Sequence, residues 1–141
     1  MMVSEQLINQ ARRMLESPNR FADAAMLASL PLKSEQDLDE LPFGVIQLSD
    51  DGIVLQYNQY ECQLSSRTKA GVLGQRFFID VAPCTKTPLF AGIFEAGVMQ
   101  GEMGALLSYY FDFRMTPTQV WVHLHRCQET NTNWVLVKRQ Q

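Results

Sequence analysis

The run Trp134-Val135-Leu136-Val137 limits the possible folds of this chain more than any other stretch. Successive side chains of a strand point to opposite faces, and here both faces are apolar. A strand of that kind must be covered on both sides of its sheet. Two helical stretches are available as cover. The first is N-terminal. Residues 3–16 read as an amphipathic helix with Ser4 as candidate N-cap, broken at Ser17-Pro18-Asn19. Residues 21–30 form a second helix that ends before Pro31, and residues 34–41 a short third one. In the third, Ser34 and Asp37 stand at capping-box separation.

The second cover lies mid-chain, between strands. Residues 43–48 read as a strand, Ser49-Asp50-Asp51-Gly52 as a turn, and residues 53–57 as the returning strand. Residues 58–67 turn helical. Thr87-Pro88 then has the form of an N-cap and first helical residue, with Gly101 as the stop of that helix. Three strands follow, over residues 106–114, 119–127 and 134–139. Two strands, a helical middle and three strands predict an α+β fold on a five-stranded antiparallel sheet. The mid-chain helices are expected on one face and the N-terminal helical cap on the other. Residues 1–41 are assigned to that cap and residues 42–141 to the core, together one folded unit.

Charge and hydropathy narrow the function classes. A net charge of −3 argues against a nucleic-acid or anionic-membrane surface as partner. No apolar run approaches the roughly 20 residues that span a bilayer. The first residues, Met1-Met2-Val3-Ser4-Glu5-Gln6, lack a basic region followed by an apolar run, so a cytoplasmic location is expected. The three cysteines, Cys62, Cys84 and Cys127, have no metal-ligand spacing, and their odd number predicts free thiols.

Two stretches carry candidate chemistry. Asp80-Val81-Ala82-Pro83-Cys84-Thr85 places a thiol just after a proline and ahead of a helix, where it can anchor a covalent group. The apolar piece Phe77-Phe78-Ile79-Asp80-Val81 delivers it. Upstream, Tyr57, Glu61 and Ser65 are spaced four and four, which brings them to nearly one face of a helix. A phenol and a protonated carboxyl pointing together into a core make two hydrogen-bond donors suited to a ligand anion, and burial keeps a carboxyl protonated. Ser65 can fix the direction of the Tyr57 hydroxyl, and Arg67, off that face, can close the site from outside. Plainer alternatives stand beside these readings. Asn58 and Glu61 have N-cap and N3 spacing, so Glu61 is equally an exposed first-turn residue reaching back to the cap. Cys84 is equally a buried small hydrophobe. It is also a conceivable nucleophile with His123 or His125 as base, although both histidines fall out of step with the apolar alternation Val120, Val122, Leu124.

Five blocks in register resemble one family. They are Phe43-Gly44-x-Ile46-Gln47-Leu48, Leu55-Gln56-Tyr57-Asn58, Asp80-Val81-Ala82-Pro83-Cys84-Thr85, Phe111-Asp112-x-x-Met115-Thr116-Pro117-Thr118 and Trp134-Val135-x-Val137-Lys138-Arg139. Over residues 41–139 the chain resembles the photoactive yellow protein family of PAS-fold blue-light receptors. The resemblance implies a receptor rather than an enzyme. It implies 4-hydroxycinnamic (p-coumaric) acid bound as a thioester at Cys84, its phenolate held by Tyr57 and Glu61. Ser65 stands where the family commonly has threonine, Arg67 matches the shielding arginine, and Phe77 and Phe111 match pocket positions. Tyr109 and Met115 match residues that influence thermal recovery. Phe113 replaces a common tyrosine, and Tyr60 and Cys62 replace smaller residues. The resemblance further implies a downstream signalling protein as partner and a monomer or weak dimer. The first 33 residues match only in helical, partly apolar character. A PAS-type interaction module that never carries the pigment is the remaining alternative.

Overall fold

A computed structural model describes residues 2–140 of the chain. The outer bounds of the expected cap and core, Met1 and Gln141, lie outside the described residues. The architecture is α+β, a five-stranded antiparallel sheet with helices packed on it. The strands are β1 (Gly44–Leu48), β2 (Val54–Tyr57), β3 (Gly104–Phe111), β4 (Thr118–Cys127) and β5 (Thr132–Arg139), in spatial order β2-β1-β5-β4-β3. The doubly apolar run sits in β5 at the centre, between β1 and β4, with Ile46 opposite Val135 and His123 opposite Leu136.

Alternation along β5 divides the core. Val135 and Val137 face a large cluster with Phe77, Phe90, Phe94, Val122 and Leu124. Trp134 and Leu136 face a smaller cluster with Ala22, Leu27, Leu30, Leu38 and Val45. The first is covered by the mid-chain segments, the second by the N-terminal ones. Three short helices form the N-terminal segment: α1 (Glu5–Arg13), α2 (Ala24–Ser29) and α3 (Glu35–Asp39). Ser4 caps α1, and Ser34 and Asp37 complete the capping box of α3. The second helix begins three residues later than the apolar pattern suggests. Asp23 takes the N-cap position, its carboxylate accepting from Met26 N at 2.9 Å. Helix α1 packs along edge strand β3, and its Ala11 joins the larger cluster rather than the smaller one. The far-face cover is thus residues 21–41, while α1 shields the sheet edge.

Mid-chain, α4 (Gln59–Ser65) and α5 (Lys69–Val72) follow β2. Ser66, in the left-handed region, ends α4 before Arg67. Residues Phe77–Val81 form a single wide turn, and Pro83–Thr85 a tight one. Thr87 caps the next segment as expected, but its first turn, Pro88–Gly92, is also wide before α6 (Ile93–Gln100) becomes regular. Strand β3 starts at Gly104 and stops at Phe111, short of Arg114, whose φ of 53° carries it out of extended geometry.

Candidate functional site

Tyr57 is the last residue of β2, and Glu61 and Ser65 lie one and two turns into α4. Asn58 holds this junction in place. Its Oδ1 accepts from Val45 N at 2.9 Å and Glu61 N at 3.2 Å, and its Nδ2 donates to Leu38 O at 2.8 Å and Phe43 O at 3.0 Å. The Asn58 backbone N–H goes to Val45 O at 3.0 Å. No donor is left for Glu61 to reach back to, which rules out the exposed, capping-box reading of that residue. Glu61 is 2% exposed instead, and its Oε1 has no hydrogen-bond partner. Burial pushes its carboxyl up to about 8, so it carries a proton at neutral pH.

The Tyr57 hydroxyl lies 2.7 Å from Ser65 Oγ. Ser65 Oγ in turn donates to Glu61 O at 2.7 Å, which uses its single proton. The phenol is therefore the donor of the Tyr57–Ser65 bond. Burial, helped by the nearby Glu61, holds this phenol well above its ordinary ionisation range. Arg67 Nη1 donates to Val81 O at 3.0 Å, strapping the end of α4 to the turn that precedes Cys84.

Cys84 sits in the tight turn Pro83–Thr85, half-buried. The Tyr109 hydroxyl donates to Cys84 O at 2.7 Å and receives a bond from Thr87 Oγ1 at 2.9 Å. Tyr109 therefore stands behind the thiol and fixes its turn. The other eight expected residues line one cavity: Tyr57, Glu61, Ser65, Arg67, Phe77, Cys84, Phe111 and Met115. Val81, Ala82 and Phe113 complete its wall. The free space among these side chains is small, about 20 Å³, far below the roughly 300–1,000 Å³ typical of ligand pockets, so a bound group has to part the walls. The cavity has an apolar wall, a thiol, a phenol and a neutral carboxyl with one unused oxygen. That set suits a flat anionic group tethered through sulfur.

The two histidines lie elsewhere. His123 is buried on the opposite face of β4, its ring 6.5 Å from that of Phe21 and 6.2 Å from that of His125. Neither serves Cys84 as a base. Among the described residues there is no cluster of three or more His, Cys, Asp or Glu able to hold a metal ion.

No protein-family model matches the chain. The photoactive yellow protein of Halochromatium salexigens is 45% identical over 111 residues, which cover 79% of this chain and 89% of that protein. The chain belongs to the photoactive yellow protein family. The photoactive yellow protein of Rhodothalassium salexigens is 43% identical over 74% of this chain and 84% of its own length. A solved structure, the photoactive yellow protein domain of the sensor histidine kinase Ppr from Rhodospirillum centenum, superposes with a TM-score of 0.75. It shares 34% identity and covers 79% of this chain and 97% of that domain. A PAS domain of an HTR-like protein from Haloarcula marismortui, at 17% identity and TM-score 0.58, shares the fold. Membership makes this chain a photoreceptor of that family, whose members carry a chromophore. No helix among the described residues is long and apolar enough to cross a membrane.

Proposed function

We propose that this protein is a blue-light photoreceptor whose pigment is 4-hydroxycinnamic acid, held as a thioester on Cys84 Sγ. One observation carries the reading: the same cavity is lined by a thiol and by a buried neutral carboxyl with an unpartnered oxygen. When bound, the group supplies blue-light absorption and isomerisation about its double bond. The chain's own residues do the rest.

In the dark, Glu61 and Tyr57 donate two charge-assisted hydrogen bonds to the phenolate end. To free its proton for that bond, Tyr57 must cease donating to Ser65. Ser65 then turns its own proton from Glu61 O to the Tyr57 oxygen, a rotation of one hydroxyl. Phe77, Phe111 and Met115 exclude water, and Arg67 closes the mouth. Tyr109 holds the Cys84 turn. Light breaks this arrangement, and the proton on Glu61 Oε leaves for the phenolate end. What remains is a buried carboxylate without its dark-state partners, a state comparable in cost to a sizeable share of a domain's stability.

The strain reaches the N-terminal segment through named contacts. Asn58, which receives the Glu61 N–H, also holds Leu38 O. Asp39 Oδ1 accepts from Gln59 N at 2.8 Å, at the start of the helix that bears Glu61. Release of residues 1–41 from the core, residues 42–141, is the proposed signal. It is read by a downstream signalling protein, such as the kind of kinase to which the Rhodospirillum centenum domain belongs. We place the protein in the cytoplasm as a monomer or weak dimer.

Reconstitution tests the reading. Incubation with activated 4-hydroxycinnamic acid should yield a visible-absorbing protein that bleaches in blue light and recovers in the dark. The added mass should map to the peptide containing Cys84. A colourless product, or label on Cys62 or Cys127, would overturn the attachment.

A further inference from the structure

Gly44 is a glycine without a backbone reason. It is the first residue of β1, opposite Val137 of the central strand, where glycine forfeits packing and conformational entropy. The glycines that do need a left-handed backbone are Gly52, Gly74 and Gly101. What Gly44 lacks is a side chain, and that space is in use. A Cβ placed there would overlap Glu61 Oε1 and lie 3.2 Å from Glu61 Cδ. This is the same Oε1 that is buried without a hydrogen-bond partner. The carboxyl of Glu61 therefore rests directly on the bare backbone of β1.

We propose that Gly44 is a positioning residue for the proton donor: its missing side chain is the seat that holds the Glu61 carboxyl against the sheet, at the wall of the cavity rather than further into it. The inference rests on Glu61 being that donor.

A methyl group at this position has few ways to fit. On its other side stands Val137 O, 3.3 Å from the added carbon. Gly44 is paired with Val137 of β5 on one edge, and on the other its neighbour Val45 is fixed by Asn58, which accepts from Val45 N and donates its backbone N–H to Val45 O, so the backbone has little room to withdraw. The carboxyl yields instead, because it ends a side chain with rotatable bonds. Its free direction is the cavity it already lines, beside Tyr57 and Ser65 and under Arg67. There it meets water, a phenol and a cation, all of which favour the ionised form. The titratable groups that face Glu61 are Tyr57 and Cys62, whose phenol and thiol burial holds in their neutral forms. A titration near neutral pH therefore reads Glu61 itself.

The test uses the full chain without pigment. The infrared carbonyl stretch of the protonated carboxyl, assigned by its absence in Glu61→Gln, is followed from pH 5 to 10. In the parent protein the band should disappear with a midpoint near 8. In Gly44→Ala the midpoint should fall by at least one pH unit, a tenfold loss of proton affinity. An unchanged midpoint overturns the seat. If Gly44→Ala does not fold, Gly44→Ala/Glu61→Ala decides. Folding of the double variant shows that the clash is with Glu61, and failure shows that the strand itself needs glycine, which also overturns the proposal. Because the pigment is absent, a lowered midpoint combined with a pigment indifferent to Glu61 would sink the receptor mechanism and leave the seat standing.

Discussion

Glu61→Gln keeps the size of a buried side chain and removes its titration. Burial raises the Glu61 carboxyl from the ordinary 4.5 to about 8 in the folded protein. At about 1.4 kcal/mol per pH unit, that interval corresponds to about 5 kcal/mol. The sign follows from proton counting. Between the two values the folded state holds a proton that the unfolded state has lost, so stability falls as pH rises through that window. Below pH 4.5 the penalty is absent, and above about 8 it is complete. The amide of glutamine does not titrate, so its own cost is the same at every pH. Urea unfolding of the pigment-free chain, parent against Glu61→Gln, from pH 4.5 to 8.5 isolates the effect, because other groups cancel in the difference. The variant should gain on the parent steadily across the window, by about 5 kcal/mol in total. Parallel curves would mean that Glu61 is already ionised when folded, and the proton-donor chemistry would fail with it.

Other consequences test other parts of the molecule. Burial, with His125 and Arg20 nearby, pushes His123 down to about 3 from the usual 6.5. The unfolded state then takes up a proton that the folded one refuses, so stability falls as pH drops from 6.5 towards 3. His123→Phe should flatten that acid limb, measured by the same difference in unfolding free energy. Lys69 bridges Glu35 at 2.9 Å and Asp39 at 2.7 Å, tying α3 to α5. Lys69→Met should cost no more than about 1 kcal/mol, and the loss should shrink in high salt. Deleting residues 1–33 should slow dark recovery of the loaded protein while leaving its dark absorption nearly intact. An unaffected recovery time would mean that those residues do not move in the cycle.

Parts of this structure were legible in the chain because they depend on local pattern. The burial of β5 on both faces follows from four consecutive apolar residues, of which Val135, Leu136 and Val137 are fully inaccessible. The Tyr57, Glu61 and Ser65 cluster follows from helical spacing, and the Tyr57–Ser65 bond forms as that spacing predicts. What remained hidden depends on partners far away in sequence. Asn58 reads as an ordinary N-cap, yet three of its side-chain bonds go to Leu38, Phe43 and Val45, which no periodicity connects to it. Gly44 reads as a weak point in a strand until Glu61 is placed above it. The wide turns at Phe77–Val81 and Pro88–Gly92 have neither helical nor strand period, so their apolar residues announce burial but not direction. Helix α1 shows a clear apolar face, but only packing reveals that it lies along the edge of β3.

The proton on Glu61 is the centre of the proposed switch, and infrared difference spectroscopy of the loaded protein reads it directly. Illumination with blue light should produce a negative carbonyl band from the protonated Glu61 carboxyl, together with a positive carboxylate band. Both should be missing in Glu61→Gln and should reverse during dark recovery. A photocycle that bleaches and recovers while that carbonyl band stays unchanged would contradict proton release from Glu61.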